Sequence, residues 1–239
     1  MEIKVACLCN TGGRPINDDT VMHWTTADGE YVYVGDGLGG YAGGQQASQA
    51  AGRALQKISG EGPLLDKESM YNAWSAAEQA VKQTQIERQG VMKTTLVFLA
   101  MEKEMARWMH VGDSRLYRFQ NGKLVKQTMD HSVSQMAVLM GDITPQQIRF
   151  HEDRNRVLRA LGGDNAKADI SPETELQSGR DAFLMCTDGF WEYVYEPEME
   201  ELLLTAETPQ QWLEEMEKIL LSRVPSDNDN YTAAAVFCK

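Results

Sequence analysis

Basic residues are in the minority: 23 lysines and arginines stand against 35 aspartates and glutamates, a formal net charge of −12. That balance argues against general binding to nucleic acid or to an anionic membrane surface, both of which need a basic face, while leaving room for a local basic pocket. No apolar run reaches the roughly 18 residues of a membrane helix, and Met1-Glu2-Ile3-Lys4 has no charged-then-apolar signal pattern, so no membrane insertion is expected. Cysteine is scarce. Cys7, Cys9, Cys186 and Cys238 form no Cys-x-x-Cys pair and each falls in an apolar stretch, which reads as buried, reduced thiols in a cytoplasmic protein. His23, His110, His131 and His151 are scattered without a His-Glu-x-x-His, so they make no zinc pattern. The glycines between Gly35 and Gly40 are not followed by Gly-Lys-Ser/Thr, which disfavours a Walker-type nucleotide loop. Repeats, low-complexity segments and Pro/Gly/Ser-rich linkers are missing too. With 239 residues, 42% of them hydrophobic and 24% charged, the chain reads as globular and as one domain, 1–239.

The apolar pattern predicts strands over Ile3 to Cys9, Val21 to Thr26 and Tyr31 to Gly35, then helices over Ala47 to Ile58 and Lys67 to Arg88. In the second helix Met70, Trp74, Ala77 and Val81 recur at three- and four-residue steps and share a face. Strands return at Thr94 to Met101, Ala106 to Val111 and Arg115 to Phe119, and Asn121-Gly122 marks a hairpin turn into Lys123 to Gln127. Short helical pieces are expected over Ser132 to Met140 and Pro145 to Arg149, a strand over Ala182 to Cys186, a helix over Pro209 to Leu221 and a strand over Tyr231 to Cys238. In the last helix Trp212, Met216, Ile219 and Leu220 form the inner side. Segregated blocks of strands and helices suggest an α+β sandwich, helices covering antiparallel sheets.

Five acidic spots lie at the end or edge of apolar strands beside small residues: Asp18-Asp19, Asp36 before Gly37, Asp113 after Gly112, Asp188 before Gly189, and Asp229 in Asp227-Asn228-Asp229-Asn230. A carboxylate at the end of a buried strand is costly unless it is paired or binds a cation, and magnesium or manganese prefers oxygen donors. Glycine beside such a residue lets a backbone carbonyl approach as a further ligand. Taken singly, each Asp-Gly is also an ordinary turn and Asp227 to Asn230 a solvated loop. The residues alone leave both a multi-carboxylate metal site and a set of turns open; recurrence of one pattern at Asp36 and Asp188 is what the turn reading leaves unexplained.

In order along the chain, these segments resemble the metal-dependent protein phosphatase family, protein phosphatase type 2C. Arg14-Pro15-Ile16-Asn17-Asp18-Asp19 resembles its opening Arg-x-x-Asn-Glu-Asp, and Asp36-Gly37-Leu38-Gly39-Gly40 with Ala47-Ser48 its Asp-Gly-x-Gly-Gly…Ala-Ser. Thr94-Thr95, Gly112-Asp113-Ser114-Arg115, Thr128-Met129-Asp130-His131-Ser132 and Arg159-Ala160-Leu161-Gly162 match further blocks, and Thr187-Asp188-Gly189 with Trp191, then Asp229-Asn230-Tyr231-Thr232, match the last two.

The resemblance implies a β-sandwich of two antiparallel sheets flanked by helices on both sides, and hydrolysis of phosphoserine and phosphothreonine in proteins by a metal-activated water at a binuclear centre. It implies two manganese or magnesium ions and a third, weaker one. By that resemblance Asp36 bridges both metals, the Gly37 carbonyl binds one, and Asp188 and Asp229 bind the second. Asp18 and Asp19 support the site directly or through water, Asp113 with Asp188 holds the third ion, and Arg14 binds the substrate phosphate. The implied partners are phosphorylated proteins, substrates of a serine/threonine kinase. No phosphoenzyme is implied, in keeping with the lack of a Cys-x5-Arg loop: after Cys186 there is no arginine until Arg223. Two departures stand out. Asp18 replaces a common glutamate, and Leu38 stands where some members carry a histidine proposed as general acid, so water has to protonate the leaving group unless activated phosphates are favoured. Residues 133–156, with Gly141-Asp142-Ile143-Thr144-Pro145, resemble the mobile flap of bacterial members and are expected to select substrate. A catalytically weak phosphoprotein-binding module and a metallophosphatase for small metabolites are the competing readings; retention of Asp36, Asp188 and Asp229 speaks against the first.

Overall fold

Strands buried at every position need cover on both faces, and such strands, Leu96–Glu102 and Tyr231–Cys238 among them, organise the molecule. The structure, a computed structural model, describes residues 1–39 and 43–239. In chain order it has β1 (Ile3–Asn10), β2 (Thr20–Thr25), β3 (Glu30–Gly35), β4 (Gly37–Leu38), α1 (Gly43–Ser59), α2 (Lys67–Arg88), β5 (Lys93–Thr94), β6 (Leu96–Glu102), β7 (Met105–Val111), β8 (Arg115–Gln120) and β9 (Lys123–Gln127). There follow α3 (Val133–Met140), a 3-10 turn (Pro145–Phe150), β10 (Asp169–Ile170), β11 (Thr174–Glu175), β12 (Asp181–Cys186), α4 (Asp188–Trp191), α5 (Glu196–Thr205), α6 (Pro209–Leu221) and β13 (Tyr231–Cys238). Gly40, which closes the Asp-Gly-x-Gly-Gly motif, lies outside the described residues.

One antiparallel sheet runs β1-β13-β12-β8-β9 and the other β10-β7-β6-β3-β2, with β11 also on β7. Side chains alternate across the layers with period two. Val32 and Val34 of β3 meet Phe183, Met185, Ala234 and Val236 between the sheets. Tyr31 and Tyr33, from the same strand, turn to Ala51, Leu55, Met70 and Val81 of α1 and α2. On the far side Ala233, Ala235 and Phe237 of β13 pack under Trp212, Met216 and Leu220 of α6 and Met199 of α5. The result is the expected α+β architecture: two antiparallel sheets face to face, with helices on both outer faces. No helix among the described residues is long and apolar enough to cross a membrane.

Local chemistry sets the ends. Asp66 caps α2 by accepting from the Glu68 and Ser69 amides, both at 2.9 Å, and Thr208 caps α6 ahead of Pro209. Asn121 and Gly122 take φ of 52° and 76°, the left-handed pair that a tight hairpin needs. The cysteine expectation holds for Cys186 and Cys238 and fails for Cys7 and Cys9, which are exposed. β1 is an edge strand, and the packing between the sheets takes in its Ile3 and Val5 but stops short of the later residues.

Candidate active site

Antiparallel pairing brings all five acidic spots to one end of the sandwich. Asp36 follows β3, Asp188 follows β12, Asp229 precedes β13, Asp18-Asp19 precede β2 and Asp113 lies in the β7–β8 turn. A cavity of about 440 Å³ opens there, lined among others by Arg14, Asp18, Asp36, Gly37, Asp188 and Asp229. Asp19 and Asp113 are buried behind that lining.

Hydroxyl-bearing residues hold the segments in place. The Asp36 amide donates to Thr95 Oγ1 at 2.8 Å, and Thr94 Oγ1 donates to the Asp36 carbonyl at 2.9 Å. Thr95 Oγ1 also meets Ser114 Oγ at 2.7 Å, tying the Asp36 turn to the Asp113 turn. Thr187 Oγ1 donates to Asp19 Oδ2 at 2.9 Å and accepts from the Thr232 amide at 3.1 Å, linking Asp19 to the strands that carry Asp188 and Asp229. The Asp18 amide donates to Asn230 Oδ1 at 2.8 Å, and Asp18 Oδ1 accepts from the Gln45 amide at the start of α1. Trp191 Nε1 donates to the Asp113 carbonyl at 2.9 Å. A side chain at Gly37 would collide with the carbonyls of Gly44 and Asp18, so only glycine fits between them. These positioning residues were legible only as motif members; nothing in the sequence assigned them partners.

The buried carboxylates of the cluster work against one another. Burial, then Asp188 and Asp19, push the Asp36 carboxyl well above its ordinary pKa. Burial, then Asp113 and Glu192, do the same to Asp188. Asp113 is raised to about 7 by burial and Asp130, and Asp19 to about 7 by burial. Asp113 Oδ1 is buried with no hydrogen-bond partner among the described residues. Several carboxylates gathered at one end of the sandwich, one with an orphaned oxygen, suit divalent cations such as manganese or magnesium. Arg14 stands at the rim, its Nη2 3.1 Å from Asp229 Oδ2, with both side chains about half exposed. Leu38 lines the cavity, as do Asn155 and Val157 from beyond the 3-10 turn, two contributors the motifs did not single out.

A second ligand-type group, His110, His131 and Asp169, sits apart from this cavity. Its geometry does not suit a cation. The imidazoles stack at 4.7 Å and 12°, so their lone pairs run parallel instead of converging. His131 Nδ1 accepts the Gly112 amide at 3.1 Å, and Arg159 Nη1 already places positive charge 3.2 Å from Asp169 Oδ1.

Comparison with known proteins adds the lineage. The family model for protein phosphatase 2C matches residues 10–221. The chain belongs to that family. Within it, the chain is 31% identical over 199 residues to the serine/threonine protein phosphatase PstP of Mycobacterium tuberculosis, a match that covers 81% of this chain and 36% of PstP. It is 30% identical over 214 residues to the serine/threonine phosphatase stp of Listeria monocytogenes, covering 86% of this chain and 83% of that one. The chain thus spans about a third of PstP but most of the Listeria protein. The crystal structure of Mycobacterium tuberculosis PstP superposes with a TM-score of 0.86 at 28% identity over 100% of both chains. A PstP catalytic domain in complex with two manganese ions gives 0.83 at 27% identity, over 98% of this chain and 97% of that one. The fold of this phosphatase 2C member is therefore that of bacterial relatives throughout.

Proposed function

We propose that residues 1–239 form the catalytic domain of a metal-dependent protein phosphatase that hydrolyses phosphoserine and phosphothreonine in proteins. The observation that carries this reading is the Asp36–Asp188 pair, two carboxylates held high in pKa by burial and by neighbouring acids, opening on a cavity with Arg14 at its rim.

Asp36 would hold two cations, with the Gly37 carbonyl on one and Asp188 and Asp229 on the other; Asp18 and Asp19 would support them. Asp113 with Asp188 would hold a third, weaker ion, in keeping with its orphaned buried oxygen. Manganese and magnesium both suit this donor set, and the PstP complex with two manganese ions supports the pair. When bound, such cations supply Lewis-acid charge and make hydroxide available near neutral pH.

The chain's own residues supply the remainder. Arg14 turns from Asp229 to the phosphoryl oxygens, for which its planar fork is matched, and offsets charge developing there. Leu38 has no proton to give, so the leaving alcohol takes its proton from water in the open cavity. Residues 133–156 serve as a flap over the site, with Asn155 its polar contact to the cavity. The partners are phosphoproteins made by a serine/threonine kinase. The place of action is the cytoplasm, which suits four unpaired cysteines. The test is hydrolysis of a phosphothreonine peptide by purified protein with manganese, with excess EDTA, and with manganese restored. Activity should vanish and return; full activity after exhaustive metal removal would defeat the proposal.

A further inference from the structure

The cavity over the carboxylates does not end at its own rim. A second hollow of about 200 Å³ shares Arg14, Asn155, Asp188 and Asp229 with it and reaches Arg154, Glu192 and Tyr193. A third, about 540 Å³, begins at those last three residues and continues to Tyr195, Arg223 and Phe150. Together they make one open groove that starts at the phosphate end and runs between the 3-10 turn and the α4–α5 segment.

In the third hollow the basic side chains are already paired. Arg154 pairs with Glu192 at 3.0 Å, Arg149 with Glu196 at 2.9 Å, and Arg223 Nη1 with Glu198 Oε2 at 2.8 Å. What is unmatched is apolar: Phe150, 74% exposed. Its position is imposed by its neighbour. Arg149 is buried and donates to the carbonyls of Trp191 and Val194, at 3.0 and 3.3 Å, as well as to Glu196. Those bonds fasten the turn to the segment after Asp188 and leave the next side chain standing at the groove edge. An exposed phenylalanine on an anchored turn, beside paired charges, offers an apolar contact.

We propose that this groove seats the substrate polypeptide on one side of the phosphorylated residue, with an apolar side chain of the substrate packed on Phe150. The inference rests on the phosphatase reading and narrows it to phosphoproteins with an apolar flank. A small phosphorylated metabolite would occupy the first hollow and leave the other two empty.

The test uses the manganese-loaded protein with p-nitrophenyl phosphate and with phosphothreonine peptides whose flanking positions carry leucine, alanine or aspartate in turn. Leucine should raise kcat/KM about tenfold over aspartate at one or two positions, on one side of the phosphothreonine only. In Phe150→Ala the ratio of kcat/KM for the best leucine peptide to that for p-nitrophenyl phosphate should fall on the order of tenfold, chiefly through KM, as expected for losing an aromatic contact surface. Absence of a one-sided preference in the parent would overturn the groove, as would a preference for aspartate, a ratio in Phe150→Ala within twofold of the parent, or an equal loss toward both substrates. A parent inactive toward every one of these substrates would instead overturn the phosphatase reading, and the groove with it.

Discussion

Replacing Asp36 by asparagine removes a charge from the centre of the acidic cluster while keeping its size. If Asp36 holds two cations, metal binding should fail and turnover should drop at least about 100-fold, as when metal-site shells are disturbed. Calorimetric manganese titration beside a turnover assay checks this; a variant that binds two ions and works within a few-fold of the parent would reject the role. Arg14→Ala separates phosphate binding from metal binding. Losing a charge-assisted contact costs about 1.5–3 kcal/mol, roughly 10- to 150-fold in kcat/KM, with metal affinity nearly unchanged. Loss of metal would show that the 3.1 Å contact to Asp229 matters more than contact with phosphate. At this scale the carboxylates were readable because one pattern, an aspartate closing an apolar strand, recurs at Asp36 and Asp188 and falls in the order of the family's motifs. Thr95 and Thr187 were not readable as supports, because a hydroxyl's role depends on which distant strand faces it.

Strand β8 begins with a buried arginine, and its surroundings allow a prediction about the element. Arg115 binds Asp130 through two hydrogen bonds, 2.8 and 2.7 Å, and its guanidinium lies 3.5 Å over the Trp191 ring. Arg115→Met strands the Asp130 charge in the interior and should cost about 3–5 kcal/mol in urea unfolding; replacing Asp130 by leucine in the same chain should recover much of that. No recovery in the double variant would place the cost on the Trp191 stacking instead. Elements with their own signals were legible: α2 and α6 carry caps, and Asn121-Gly122 carries the turn. Helix α5 was missed because Glu196–Thr205 buries only Met199 and shows no clear stripe. The two-residue strands β4, β5, β10 and β11 were missed because they exist only through pairing with partners elsewhere.

For the molecule as a whole, acid should be destabilising through the paired histidines. Burial, then His110, lowers His131 to about 4, and burial also lowers His110; Asp169 and Arg159 are the charges facing them. A histidine whose folded pKa lies below its unfolded value of about 6.5 contributes stability that is intact above that value and is lost as pH falls toward the folded one. Asp19 and Asp113, raised to about 7, act with the opposite sign, so the informative quantity is the difference between parent and His131→Asn. Melting temperatures should converge between about pH 6.5 and 4, and parallel curves would discount the imidazole. The layering was legible from the segregated blocks of strands and helices. The exposure of Cys7 and Cys9 was not, since an apolar segment does not announce that it will form a sheet edge.

The Arg14–Asp229 and Asp18–Asn230 contacts join residues 215 and 212 positions apart. On the ribosome, Asp18 and Asp36 are therefore made long before the residues that complete their site. At roughly 5–20 residues per second the wait from Asp36 to Asp229 is roughly 10 to 40 seconds. On the proposed reading, a nascent chain in that interval would carry half a metal centre, and hydrolytic activity would arrive abruptly, with the emergence of β13.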